Sequence, residues 1–226
     1  MMRRLLLLSA LVLVPAWAGD LSSLTEGEAD RGLKEALVQG AEAAVGKLSA
    51  VDGFMGNPKV RIPLPPTLAK VEGLLRTVGL QKPADELVTT MNRAAESAVV
   101  EAKPILLESI KKMTLADAKA ILTGPDDSAT QYFRKTGGEA IALKFKPKVA
   151  VATQKVKLAK RYDKVAGKAA RFGLIEKGDA NLDDYVTRKA VDGLFLMMAE
   201  QEKAIRKDPM GQASSLLRKV FGALKP

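Results

Sequence analysis

Ser109-Ile110-Lys111-Lys112 fits the S-x-x-K pattern of a lysine-activated serine, and Lys135-Thr136-Gly137 fits the K-T-G element found beside it in penicillin-binding proteins and β-lactamases. In those enzymes K-T-G lies on a strand of a large mixed fold, and a separate S-D-N element is required. Here S-D-N is missing, the two matches lie only 23 residues apart, and both fall in helical pattern. Chance matching is the better account. Asp179-x-Asn181-x-Asp183 opens like a calcium loop, but the sixth and twelfth positions, glycine and glutamate in such loops, are Asp184 and Ala190. A turn followed by acids that favour a helix N-terminus explains it better. Asn92 and Glu96 are four apart on one helical face, and Asp192 stands alone in the most apolar stretch of the chain. If buried, Asp192 needs a cation or several donors, and two carboxylates meeting in a cleft could act as acid and base in glycoside hydrolysis. Satisfied structural partners are the commoner outcome for such groups. Glu202, Arg206 and Asp208 read as a local ion pair and a helix stop.

Several chemistries are absent from the outset. The chain has no histidine, so the commonest neutral-pH base, the Ser-His-Asp arrangement and imidazole metal ligands are unavailable to it. It has no cysteine, which excludes disulfides, thiolate metal sites and thiol nucleophiles. No cofactor or metal is implied by any motif.

The most informative feature is electrostatic. Residues 144–171 hold ten basic side chains and one acid, Asp163. At helical spacing Lys157, Lys160, Arg161, Lys164, Lys168 and Arg171 fall on one side, opposite the stripe that contains Leu158. A solvated face ordinarily mixes signs, and this one does not. The face is therefore a candidate binding surface for an anionic lipid surface, another envelope polyanion or an acidic protein, against the plain reading of a lysine-rich surface that serves solubility. Nucleic acid fits poorly, because the chain is expected to be exported and no aromatics interleave the charges for base stacking. The competing function classes are a carrier with an interhelical cavity for an apolar or acyl ligand, and a hydrolase using Glu96 or Asp192.

The elements that must position these residues can be taken in order. Residues 1–18 read as an export signal: Arg3 and Arg4 give a positive start, residues 5–14 are apolar but too short to span a bilayer, and Ala16-Trp17-Ala18 is an A-x-A cleavage site. The product expected from Gly19 is periplasmic or secreted, and nothing downstream is long and apolar enough to cross a membrane. The formal charge of +10 falls to +8 without the two leader arginines. Between 19 and 140 there are 15 basic and 17 acidic residues, and between 141 and 226 there are 19 and 9, so the whole excess lies in the second part.

Thr25 and Glu28 form a capping box for an amphipathic helix to about Ala50, stopped at Asp52-Gly53. The prolines of NPKVRIPLPP at 57–66 forbid a helix and predict an extended strap with Ile62 and Leu64 inward. A helix is expected over 67–79, stopped by Gly79, and another from near Pro83, kinked or restarted at Pro104 and continuing to Met113. Thr114 and Asp117 cap a short helix, and Asp126 with Asp127 caps the next, which Gly137-Gly138 should weaken. Pro147 is expected to open a long helix to Phe172. The stretch 190–199 carries one charge, Asp192, and otherwise reads as apolar on every side, which makes 183–207 a central helix, and a last helix is expected over 210–221. Aromatics are few and no two-residue alternation is sustained. The fold class is all-α: a single-domain bundle, spanning 19–226, of about seven to eight helices around a buried helix at 183–207.

IPLP at 62–65, MNRAAE at 91–96, MTLADAKAIL at 113–122, YVTRKAVDGLF at 185–195 and EKAIRKDP at 202–209 resemble, in this order, the bacterial exported family catalogued as domain of unknown function 4197. The resemblance spans essentially all of the chain after the leader. It implies an exported, mainly helical single-domain protein and implies no activity.

Overall fold

The structure, a computed structural model, describes residues 25–70, 72–79, 81–171, 179–208 and 220. The expected leader at 1–18 lies outside them, as does the expected last helix at 210–221 apart from Val220, which is helical and buried. Among the described residues there is no strand, and the helices share one hydrophobic core. The all-α bundle is confirmed.

Helix α1 (Glu26–Ser49) starts on its capping box: the Glu28 amide donates to Thr25 Oγ1 at 3.2 Å, and the Thr25 amide donates to Glu28 Oε2 at 3.1 Å. Its Leu33, Leu37, Ala41, Ala44 and Leu48 are buried, as the three-and-four spacing requires. The chain then reverses through Asp52, whose φ of 67° is left-handed, a conformation that short polar side chains tolerate. A Cβ on Gly53 would lie 2.4 Å from the Lys47 carbonyl oxygen, so only glycine fits there. The strap follows, with Phe54, Val60, Ile62 and Leu64 all buried.

The expected helix over 67–79 is two short pieces, α2 (Pro66–Ala69) and α3 (Glu72–Thr77). No residue of α2 is buried, so packing adds little to hold a longer helix together. Helix α4 (Gln81–Ala98) buries Leu87, Met91 and a run of alanines, passes through a 3-10 turn at Val99–Glu101, and is followed by α5 (Ala102–Lys112). Pro104 lies in the first turn of α5, where no intrahelical donor is needed. Helix α6 (Leu115–Thr123) has the Thr114–Asp117 capping box.

Helix α7 (Ser128–Thr153) departs from the sequence expectation. It runs unbroken through Gly137, Gly138 and Pro147, where a break and a fresh start were expected, and the chain turns instead at 154–156, before α8 (Lys157–Arg171). Packing supplies the reason. A Cβ on Gly137 would meet Ile105 Cγ2 at 3.2 Å and Ser109 Oγ at 3.5 Å, so the glycine lets α5 approach closely, while Gly138 lies against the Phe195 ring. Close contact on both sides outweighs the low helix propensity of the pair. The carbonyl that Pro147 leaves without a donor belongs to Leu143, 68% exposed and open to water.

Helix α9 (Leu182–Lys207) packs most extensively on α7 and also on α1, α4 and α8, which makes it the central element. It is not enclosed on every side. Arg188, Asp192 and Leu196, four apart, form a stripe open to solvent, while the remaining faces bury Tyr185, Val186, Leu194, Phe195 and Met198. At Gly193 a Cβ would stand 2.8 Å from Phe54 Cε1 and 3.3 Å from Val60 Cβ, so the strap drops an aromatic ring onto bare helix backbone. Gly193→Ala should therefore destabilise the protein by about 1–3 kcal/mol through overpacking. Gly40→Ala, in α1 with nothing within 4 Å of its notional Cβ, should be neutral or gain up to about 1 kcal/mol. Thermal or urea unfolding of the two variants checks both signs; equal effects would contradict the packing.

Candidate functional site

Asn92 and Glu96 stand side by side on the inward face of α4, and the strap occupies both. Asn92 Oδ1 accepts from the Ile62 amide at 2.8 Å, and its Nδ2 donates to the Ile62 carbonyl at 2.9 Å and to the Val88 carbonyl at 2.8 Å. Its carboxamide thus imitates a paired backbone strand. Glu96 Oε1 accepts from the amides of Phe54 and Met55, both at 3.1 Å, and Oε2 accepts from Arg93 at 2.7 Å. The other arm of Arg93 reaches Asp52 at 2.8 Å, and the two carboxylates hold its guanidinium firmly protonated. Both polar residues are fully engaged with buried backbone, which is a structural duty.

Asp192 belongs to a different place. It lies on the open stripe of α9, half-exposed, with Arg134 of α7 at 3.0 Å, and that guanidinium also covers the Phe195 ring at 4.7 Å. The possible cluster of Asn92, Glu96 and Asp192 is therefore one pair on α4 and one surface ion pair on α9. In the turn before α9, Asp179 pairs with Arg188, Asn181 Oδ1 caps the Asp184 amide at 3.1 Å, and Asp183 accepts from the Thr153 hydroxyl. Three side chains serve three separate partners, as a helix-entry turn does.

The S-x-x-K and K-T-G matches do come together, in an open trough between α5 and α7 that Ser109, Lys112, Lys135 and Thr136 all line. Ser109 is nevertheless no nucleophile in waiting. Its hydroxyl donates to the Ile105 carbonyl at 3.1 Å, sits at the Gly137 crossing, and leaves the residue 7% exposed. Among the described residues no base is bonded to it.

The basic helix α8 is laid on the bundle through Ala159, Tyr162 and Ala166, all buried, which turns Lys157, Lys160, Arg161 and Lys164 to solvent. The Lys168 and Arg171 side chains lie outside the described residues. The one acid of the helix points the other way: Asp163 Oδ1 accepts from the Leu182 amide at 2.7 Å and so caps the N-terminus of α9. Burial raises its carboxyl above the ordinary range, partly opposed by that amide. Among the described residues, none of the four exposed cations has a carboxylate partner. Two other cations of the basic run are paired: Lys146 with Asp184 at 2.6 Å and Lys148 with Glu101 at 3.3 Å.

The ion pair expected of Glu202 and Arg206 forms at the far end of α9, and it serves two other helices that the sequence did not point to. Glu202 accepts from the Ala129 and Thr130 amides at 2.9 Å each, capping α7 from across the bundle, while Asp127 at the N-cap position makes no side-chain cap. Arg206 donates to Glu202 at 2.9 Å and to the Ile121 carbonyl near the end of α6 at 2.7 Å. The four-residue spacing announced the pair, and nothing in the sequence announced the two helix ends it serves.

The chain belongs to the family described as protein of unknown function (DUF4197), whose model matches residues 23–222. No curated protein and no solved structure matches it.

Glu96→Ala strands the buried Phe54 amide, and should cost about 1–3 kcal/mol. Glu96→Gln keeps an oxygen for the amides and should cost less, and denaturant midpoints order the two. A cost of Glu96→Ala below that of Glu96→Gln would contradict the assignment. Burial raises all three tyrosines, 132, 162 and 185, with Tyr185 pushed up to about 12. A phenol whose folded pKa lies above its unfolded value of about 10 stabilises the fold while protonated. That contribution is whole below about pH 10 and is lost as pH rises through the folded pKa. Spectrophotometric titration should show Tyr185 ionising last, together with alkaline unfolding, and Tyr185→Phe should remove that last step.

Proposed function

We propose that the protein is a non-enzymatic binding module of the cell envelope, periplasmic after loss of its leader, that engages an anionic partner through the outer face of α8. One observation carries the reading: Lys157, Lys160, Arg161 and Lys164 are exposed and unpaired among the described residues, while the sole acid of their helix is turned inward to cap α9. Ala159, Tyr162 and Ala166 of α8 are already buried in the bundle. The contact is therefore electrostatic and peripheral, without insertion into an acyl layer. An anionic lipid surface is the partner this geometry suits best, because a straight row of lysines on a convex helix meets a flat charged plane without needing a shaped counterpart.

The rival classes have weaker support. The apolar cleft among Leu33, Phe133 and Met198 holds about 30 Å³ of free space, near the room of a single water and far below what an acyl ligand occupies. For a hydrolase, Glu96 is bound to two amides and an arginine, and Asp192 is a surface ion pair.

Co-sedimentation of the chain from Gly19 onward with neutral and anionic vesicles, at low and high salt, tests the proposal. Binding is expected only to anionic vesicles and should fade as the ionic strength rises. Replacing Lys157, Lys160, Arg161 and Lys164 together by glutamine should remove up to about 4 kcal/mol, on the order of a thousandfold. Undiminished binding by that variant would reduce the face to a solubility feature.

A further inference from the structure

The trough between α5 and α7 is distinct from the α8 face and is built differently. The two helices run in opposite directions: Glu101 at the start of α5 pairs with Lys148 late in α7, and the Tyr132 hydroxyl early in α7 donates to the Ser109 carbonyl at 3.0 Å. One wall is the four-spaced row Tyr132, Thr136, Ala140 and Lys144, the other comes from Pro104, Ile105 and Glu108, and the space between is about 900 Å³. That volume lies within the range of small-molecule and short-oligomer sites.

Its charges are asymmetric once their partners are assigned. Glu101 is held by Lys148, Glu108 is held by Lys112 at 3.4 Å, and Asp117, close to Lys135, accepts from the Thr114 amide and hydroxyl as the capping acid of α6. Lys135 and Lys144 are exposed and, among the described residues, have no carboxylate within ion-pair distance. Nine residues of helix separate them, about 13 Å along the axis. The trough therefore has Lys144 toward one end, Lys135 with the helix-capping Asp117 nearby toward the other, and a middle of Pro104, Ile105 and Ala140.

We propose that this trough binds an acidic oligosaccharide several rings long. Uronate-type carboxylates would meet Lys135 and Lys144 in charge-assisted hydrogen bonds. The C–H faces of the rings would lie on Pro104, Ile105, Ala140 and the Tyr132 ring, which its bond to Ser109 holds in place. Ring hydroxyls would stay in water. An extended acidic peptide is the poorer occupant, because both walls are helices whose backbone groups are already paired and offer no edge for strand addition.

Calorimetric titration of the chain from Gly19 onward with a tetragalacturonate, its methyl-esterified form and an acidic tetrapeptide decides the matter. Expected are binding of the tetragalacturonate at low salt, loss of binding on esterification, and an affinity at least about tenfold weaker in Lys135→Gln/Lys144→Gln. The variant with four glutamines in α8 should bind the sugar as the parent does, which separates the two sites. Both trough lysines are exposed, so their replacement leaves the core untouched. No binding of the tetragalacturonate, equal binding of the ester, tighter binding of the peptide, or loss only in the α8 variant would each overturn the proposal.

Discussion

Burying an extended segment of chain creates amides that no helix can pair, and this constraint governs the arrangement of the bundle. The strap between α1 and α2 carries Phe54, Val60, Ile62 and Leu64 into the core, so its backbone must follow them out of water. Helix α4 supplies the missing partners from two positions one turn apart, Asn92 for Ile62 and Glu96 for Phe54 and Met55. Helix α9 supplies the space at Gly193 and a hydroxyl from Tyr185 to the Pro63 carbonyl at 3.2 Å. With α4 on one side and α9 on the other, the strap fixes how far apart those helices stand. The sequence blocks IPLP, MNRAAE and YVTRKAVDGLF, far apart along the chain, meet at this one junction.

The same economy governs the helix ends. Asp163 of α8 caps α9, Glu202 of α9 caps α7, and Arg206 of α9 takes a carbonyl near the end of α6. Each charge has the sign that the local helix dipole favours, negative at an N-terminus and positive at a C-terminus. Each cap also ties two helices together, so the ends of the bundle are cross-linked by ions rather than by covalent bridges, in a chain without cysteine.

These internal duties shape the outer surface. An acid used to cap a helix inside is an acid withdrawn from the lysines outside. Withdrawal of Asp163 leaves the α8 face positive, and the pairing of Glu101 with Lys148 and of Glu108 with Lys112 leaves Lys144 without a carboxylate in the α5–α7 trough. The basic excess of the second part of the chain is concentrated on the α8 face, while Lys146 and Arg134 are absorbed in pairs with Asp184 and Asp192.

What the sequence determined by itself is whatever acts within a turn or two of chain. The capping boxes at Thr25 and Thr114, the prolines that forbid helix in the strap, the inward side chains of Ile62 and Leu64, and the basic stripe of α8 all follow from neighbours three or four residues away. What only the tertiary structure decided depends on partners remote in the chain. Glu96 finds the Phe54 amide 42 residues back, and Glu202 finds the start of α7 73 residues back, so neither duty is visible in a local window. The unbroken course of α7 belongs to the same class. Gly137 and Gly138 weaken an isolated helix through backbone entropy, and only the close approach of α5 and Phe195, a fact of packing, repays that cost.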